Sequence, residues 1–507
     1  MKQLLWNQIQ NHAQRLLSQA DRDPDSPSYG SFDRNYWNYK IRDFSSVILQ
    51  QGILSLDVLY SFNSPDNIYF QKPVIKDLIK AGIGFWSKSQ LRSGAFNEYY
   101  PNESGFPPTA FSLYAIGLML EKYPEFIDKN VIISINKAIR WLLKHPEKEA
   151  LNQESVALSG IIISKNISGV KVNETLLNKR LDQFYNSQYP EGWFNEYGGP
   201  DLGYLSVTID SLWDIYRITE DARALKAIEK ATEFISYFIS VSYEPPVMIN
   251  ARNTDYLVPF GLSGFGSMNP VAAELSRVIL QNISRPGNMF SKTDDRYLSH
   301  YIGQSYFRSL LNIEKLKSEQ VVLPYKKDTI KYFDGCDIFV KHIAEQKSTF
   351  ISLRKGGIYS EYDVNGIKSA DYGWRYKTGK SIAVTHWQNA DYRCSHQING
   401  GKIELVVEGN FTLHRYIKPS PLKHVVLRVL SFIAGNRIMP FLKSLIIFSQ
   451  KNSKIGFMRK LNISNNTIEA VDSFRNLPGE NILYKAPHYS MRHVSSAGRF
   501  VEEELLK

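Results

Sequence analysis

One short phrase occurs three times in the first half of the chain, and the two longer copies each lead into an apolar run. Residues 191–204 read EGWFNEYGGPDLGY, residues 94–106 read GAFNEYYPNESGF, and residues 30–36 read GSFDRNY. In the two longer copies Gly94, Phe96, Asn97, Glu98, Tyr99 and Gly105 match Gly192, Phe194, Asn195, Glu196, Tyr197 and Gly203. The phrase is no helix interior, because Gly198, Gly199 and Pro200 stand together and each disfavours helical backbone. The apolar run behind it has helical period: Phe111, Leu113, Ile116 and Leu120 after one copy, Val207, Leu212, Ile215 and Ile218 after the other. The repeating unit is a loop and a helix. Repetition of such units predicts a solenoid or a toroid of helix pairs, not a single mixed domain.

From about residue 40 to 315 helical patterns alternate with Gly, Pro, Asn and Asp clusters, as in PVIKDLIKAGIGFWSKSQ, VIISINKAIRWLLKH and ARALKAIEKATEFISYFIS. From about 322 the text changes to short segments rich in Val, Ile, Thr and aromatics, such as DIFVKHI, KSIAVTHWQ and KIELVVEG, with turns every eight to twelve residues. That is the pattern of an antiparallel sandwich. The expected fold is α then β: an N-terminal (α/α) toroid, an incomplete barrel of helix pairs, over residues 1–319, and a C-terminal antiparallel β-sandwich over 320–507. A chain of 507 residues is too long for one core, which agrees with such a division.

Charge divides at the same place. Residues 1–319 carry 33 Lys+Arg against 34 Asp+Glu, whereas residues 320–507 carry 28 against 16. A basic module beside a neutral one implies an anionic partner: nucleic acid, an acidic polysaccharide or an anionic membrane. No zinc-finger spacing or RNP-like motif accompanies it, so nucleic acid is not expected. Cys336 and Cys394 make no disulfide framework. The opening MKQLLWNQIQNHAQRLL reads as an amphipathic helix start, not a signal peptide, and no run of eighteen apolar residues is present. The expected location is the cytoplasm.

Residues 420–451, SPLKHVVLRVLSFIAGNRIMPFLKSLIIFSQK, interrupt the sandwich pattern. Two apolar stretches flank Gly435-Asn436-Arg437, with Lys423, His424, Arg428, Arg437 and Lys443 interspersed. The segment reads either as a helical hairpin packed on the sandwich, or as a basic amphipathic insertion at 420–450 lying peripherally on the inner face of an anionic membrane.

A helical toroid followed by a β-sandwich resembles the polysaccharide lyases of the heparinase II/III and alginate-lyase type. The phrases GGPDLGY (198–204), ARNTDYLVPFG (251–261) and ISLRKGGIYSEYD (351–363) are similar to the corresponding regions of that group. The resemblance implies β-elimination at a uronic acid. A neutralising group holds the carboxylate, a Tyr or His takes the C5 proton, and a Tyr protonates the leaving oxygen.

On that basis the candidate catalytic residues are Tyr204, Asn195, Tyr256 and His386. The candidate substrate-binding residues are Asn97, Glu98, Tyr99, Glu196, Tyr197, Arg252 and Trp387. Bland readings stand beside them. Phe96, Trp193 and Phe194 read as plugs between loop and core, Glu98 and Glu196 as helix caps or partners of Arg, and Arg252 as an ion pair with Asp255. No cofactor is expected; His386, Asp391 and His396 are spaced so that a divalent metal site in the sandwich is conceivable, though the spacing is nonspecific. The expected function is a lyase on an anionic, uronate-containing polysaccharide, linked to cell-surface polysaccharide metabolism. The alternatives are a C5 epimerase of a nascent or lipid-linked glycan, a glycoside hydrolase using Glu98 and Glu196, and a non-catalytic glycan- or membrane-binding protein.

Overall fold

A computed structural model of the chain describes residues 1–489 apart from 286–287, 380, 400–401, 416–417, 436–437, 439–450, 465 and 478–482. Helices Gly52–Ser61, Phe106–Lys122, Leu151–Lys165, Leu202–Thr219 and Phe260–Phe265 follow one another around an inner ring. Gly303–Ser309 then packs against Gly52–Ser61. Outside this ring lie Lys2–Gln19, Pro73–Lys88, Lys129–Lys144, Glu174–Asn186, Ala222–Ser236 and Pro270–Asn282. The division follows from the sequence. Phe106–Lys122 is apolar or small nearly all round and is buried from Pro108 to Leu120. Lys129–Lys144 buries only a stripe that includes Val131, Ile135, Ala138, Ile139 and Leu142.

The repeated phrase is the joint between the two layers. A Cβ on Gly192 would stand 2.1 Å from the Lys230 carbonyl oxygen of an outer helix, and one on Gly94 would stand 2.7 Å from that of Lys137. Both glycines have positive φ, 109° and 95°, so two independent constraints exclude a side chain. Three glutamines repeat the joint. The Gln50 side-chain amide donates to Gly30 O and Gly82 O, Gln90 to Gly94 O and Ser134 O, and Gln188 to Gly192 O and Ala227 O, all between 2.8 and 3.0 Å. Phe96 and Phe194 are buried and stack on Trp86 and Phe184, at 5.0 and 4.7 Å. Trp193 is buried as well, on Tyr189. These aromatics plug the loops, as their bland reading has it.

The β region is two antiparallel sheets. The first is a meander of β1 (Thr329–Phe333), β2 (Ile338–Ile343), β3 (Lys347–Ser352), β4 (Ile358–Asp363) and β5 (Gly366–Asp371). The second contains β6 (Trp374–Thr378), β7 (Ser381–Val384), β8 (Arg393–Asn399), β9 (Lys402–Arg415), β10 (Lys451–Ser464), β11 (Thr467–Arg475) and β12 (Leu483–Lys485). Its order is β11-β10-β9-β7-β6-β12, with β8 also paired to β9.

The period of two in β2 and β3 decides how the halves join. Phe339 and Ile351, paired in register, enter the core between the sheets with Leu405, Val407 and Phe457. Their neighbours Ile338, Val340 and Phe350 face the other way and share one apolar core with the helices. The first sheet is therefore a middle layer with apolar cores on both faces. Phe333 packs on Phe234 and Phe238 at 5.0 and 5.3 Å. Val241 N–H donates to Ser348 Oγ at 3.0 Å, and His342 Nε2 lies 2.9 Å from Tyr237 O.

Between β9 and β10 runs the helix Pro421–Ala434. The apolar residues of this helix are not packed on the sandwich: Leu422, Val425, Phe432 and Ile433 are 73%, 57%, 80% and 75% exposed. The second apolar stretch of that segment, 439–450, lies outside the described residues.

Candidate active site at the loop rim

The aromatic loops gather where the inner helices begin. Asp201 caps Leu202–Thr219 by accepting from Tyr204 N–H, and it also accepts from the Thr254 hydroxyl and from Arg252 N–H at 3.0 Å. Asn250 continues the seam, accepting from Leu202 N–H at 2.9 Å and donating to Thr254 O at 2.8 Å. Loops 198–204 and 250–256 are thus one unit. On it the Arg252 guanidinium lies over the Tyr197 ring at 4.7 Å, a cation–π arrangement. Gln153 donates to the Tyr197 hydroxyl at 3.3 Å.

The other candidates on these loops have different surroundings. Glu196 is fully buried and accepts from Asn152 N–H at 2.7 Å, so it caps the neighbouring helix Leu151–Lys165. Burial pushes its carboxyl well up, against a smaller pull from Arg252. Asn195 turns inward on its loop, accepting from Gly198 N–H at its side chain and from Leu151 N–H at its carbonyl. Tyr256 is buried edge-on to Tyr301 at 6.0 Å, and Tyr204 stands close enough that its charge would perturb Tyr197, Tyr256 and Tyr301. Burial pushes the hydroxyls of Tyr197, Tyr256 and Tyr301 up, so all three stay protonated.

The first copy holds a different set. Asn97 accepts from Glu103 N–H with its side chain and from Val47 N–H with its carbonyl, the same carbonyl role as Asn195. Glu98 is buried beside Glu103, whose carboxylate accepts from Glu98 N–H and Tyr99 N–H at 2.7 Å. Burial pushes both carboxyls up; the charge of Glu98 adds to this at Glu103, while Arg296 and Arg42 oppose it at Glu98. Tyr99 is 53% exposed on the surface of this loop.

The segment joining the two copies is not among the candidates that the sequence singles out. Leu298–Ile302 is a turn of π-helix, a form enriched at functional sites. It follows Arg296, which acts on Glu98, and it carries His300 and Tyr301. Tyr297 lies 5.5 Å from Tyr301 and 5.1 Å from His300. Burial lowers His300 to about 3, so its imidazole is neutral. The available signal was the spacing of Tyr297, His300 and Tyr301 in DDRYLSHYIG, which puts them on one helical face.

The sandwich closes the site from the other side. Lys355, in the 3-10 turn Leu353–Lys355 after β3, reaches into the 248–253 loop and donates to Met248 O, Asn250 O and Asn253 Oδ1 at 2.5, 2.9 and 2.6 Å. Burial lowers its ammonium to about 7. Gln388 donates to Gly198 O at 3.2 Å. His386 is buried, with neither ring nitrogen hydrogen-bonded among the described residues. Burial first, then the charges of Arg375, Lys355 and His488, hold its imidazole far below the usual range. Trp387 lies 5.7 Å from His414.

His386, Asp391 and His396 do not form the conceivable metal site. His396 stacks on Tyr332 at 3.8 Å, Asp391 accepts from Asn452, and no cluster of three potential ligands occurs among the described residues.

The far mouth of the ring has a cavity of about 450 Å³, lined in part by Asp57, Lys122, Trp213, Arg217 and Arg308. On its lining Lys122 pairs with Asp57, Arg217 with Glu121 and Asp214, and Arg308 with Asp214, and Lys315 also lines it. The loop rim, with Arg252 against a tyrosine face, is the better place for an anionic ligand.

No family model and no curated protein matches this chain. Solved structures do. It is similar to a Paenibacillus xanthan lyase, at 12% identity over 81% of this chain and 46% of that one, with a TM-score of 0.46. It is similar to the Streptomyces coelicolor A3 chondroitin AC lyase in complex with chondroitin sulphate, at 11% identity over 81% and 67%, TM-score 0.46. It is also similar to a GH127 β-L-arabinofuranosidase from Geobacillus stearothermophilus, at 10% identity over 93% and 94%, TM-score 0.38. Two of these are polysaccharide lyases, the group named by the sequence resemblance, and the third is a glycosidase. The chain spans about half the length of the xanthan lyase. With superpositions this loose, the reaction has to come from this chain's own residues.

Proposed function

We propose that this protein is a carbohydrate-active enzyme that cleaves an anionic, uronate-containing polysaccharide by C5 proton abstraction and β-elimination. The observation that carries the reading is the convergence at one rim of Arg252 and Tyr197 with Tyr204, Tyr256 and Tyr301, backed by Lys355 from the sandwich.

The chemistry follows from the charges. Arg252 holds the uronate carboxylate, so that negative charge building up next to C5 is stabilised. Tyr204 lies in the first turn of Leu202–Thr219, and it takes the C5 proton. The C5–H electrons form the C4–C5 double bond, and the C4–O bond breaks. A protonated tyrosine, Tyr256 or Tyr301, returns a proton to the leaving oxygen. His386, neutral and behind Lys355, is the second candidate acceptor. Asn97, Glu98, Tyr99 and Trp387 are further substrate-binding candidates, of which Tyr99 is exposed and Asn97 and Glu98 are buried. The setting that suits the basic sandwich is cytoplasmic, in the assembly of cell-surface polysaccharide.

The test is incubation with a panel of uronate polymers, following the ultraviolet absorbance of the conjugated double bond. Rising absorbance with the native chain, abolished in Tyr204→Phe and Arg252→Ala, is expected. New reducing ends without absorbance would make the protein a hydrolase, a reading that the raised Glu98 carboxyl supports as a general acid. Exchange of the C5 proton without cleavage would make it an epimerase, and binding with no change to any glycan a scaffold.

A further inference from the structure

The helix Pro421–Ala434 is oriented the wrong way round for a helix resting on a soluble domain. Its apolar residues Leu422, Val425, Val426, Val429, Leu430, Phe432 and Ile433 fall on one contiguous side at 100° per residue, and all are 46–80% exposed. On the other side Ser431 faces the protein, while Lys423 and His424 are exposed. The Ser431 side chain is buried, and Arg428 pairs with Asp43 of the toroid at 2.9 Å. A neighbouring stretch adds to the apolar surface: Tyr39 and Ile41, just before Asp43, are 57% and 72% exposed.

Charge says what covers this surface. Between Glu408 and Glu469 lie sixty residues without one Asp or Glu, and they contain ten Lys and Arg. An apolar protein partner would be served by the side chains alone. A surface that pairs an outward apolar stripe with the exposed Lys418 and Lys423 fits the headgroup region of an anionic bilayer, where burial and lipid charge act together. We infer that this helix docks the protein peripherally on an anionic membrane, with Phe432 and Ile433 in the acyl boundary and Lys418 and Lys423 among the headgroups.

The position of the helix gives this a consequence for the rim. Asp43 adjoins Arg42, whose charge acts on Glu98 of the first loop. Membrane docking through the helix would hold the loop rim close to the lipid surface, where a lipid-linked or nascent glycan is presented.

The experiment is co-sedimentation of the full chain with vesicles of phosphatidylcholine alone or with about 30% phosphatidylglycerol, at low and high salt. Binding is expected only to the anionic vesicles and is expected to weaken with salt. Phe432→Asp with Ile433→Asp should lower the affinity at least roughly tenfold, and Lys423→Glu roughly fivefold, with unchanged circular dichroism. Equal binding to neutral vesicles, or none to either, overturns the inference. So does concentration-dependent self-association that the Phe432→Asp variant abolishes, since a second copy would then be the occupant. None of these readouts uses catalysis, so failure here leaves the lyase reading standing, and the converse holds.

Discussion

The two long copies of the repeated loop are alike as carpentry and unlike as chemistry. In each, a glycine presses on an outer helix, a glutamine bridges two carbonyls, a phenylalanine plugs the core, and an asparagine carbonyl receives the preceding inner segment. Around residues 94–106 this frame encloses two buried carboxyls, Glu98 and Glu103, with arginine charge nearby. Around residues 191–204 the same frame abuts Arg252, Tyr256 and the sandwich residues Lys355 and Gln388. A repeat therefore fixes where a loop stands. What the loop can do depends on whichever element comes to face it.

That contrast can be broken by experiment. If the second copy is the reacting one, Arg252→Ala should lower kcat/KM by roughly 10²–10³-fold, as loss of a charge-stabilising group does, while Glu98→Gln should cost less than roughly tenfold. The reverse order, in steady-state assays on the cleaved polymer, would move the chemistry to the first copy.

The frame itself should be intolerant in both. Gly192→Ala should destabilise by roughly 3–4 kcal/mol, and Gly94→Ala by somewhat less, because the second has more room before its Cβ meets backbone. Chemical denaturation measures both. Lys355→Met removes the sandwich's hold on the 248–253 loop and leaves its carbonyl partners unsatisfied. A loss of about 2–3 kcal/mol is expected, and unlike Gly94→Ala it should also lower activity.

Buried acids with raised carboxyls occur in both copies, and those of the first can be read through pH. Their folded-state affinities for protons lie above the ordinary carboxyl value of 4.5, so between that pH and neutrality the folded chain retains protons that the unfolded chain has released. Stability from this pair accordingly falls as pH rises through that window. Melting temperatures taken from pH 5 to 7.5 should decline less steeply in Glu103→Gln. The smallest effect belongs to Tyr99→Ala, within about 0.5 kcal/mol for an exposed loop side chain; a large drop in polymer affinity without loss of stability would mark Tyr99 as a sugar platform.

Much of this arrangement was legible in the sequence, and the reason is periodicity. The recurrence of Gly-x-Phe-Asn with helical spacing behind it gave the toroid, and the change to period two after residue 322 gave the sheets. Tyr197, Tyr204, Arg252 and Tyr256 lie on loops the sequence singled out. Lys355 and the π-turn bearing His300 and Tyr301 did not stand out there. Lys355 lies within ISLRKGGIYSEYD but is one basic residue among many in a basic module, and a π-turn leaves no composition of its own. Glu98 and Glu196 were candidates because they stand at matched positions of the two loops, and the structure shows Glu196 in the helix-capping role that its other reading gave it.

The chain's order of residues by itself determined the local elements, because a side chain's spacing along the backbone sets which face it occupies. It also determined the segregation of charge, which no folding can alter. The tertiary structure alone decided which loops meet: the contacts of Lys355 with Met248, Asn250 and Asn253, about a hundred positions away, depend on the docking of the first sheet against the ring. It alone turned the apolar side of Pro421–Ala434 outward, because an amphipathic pattern defines a stripe but not the direction it faces.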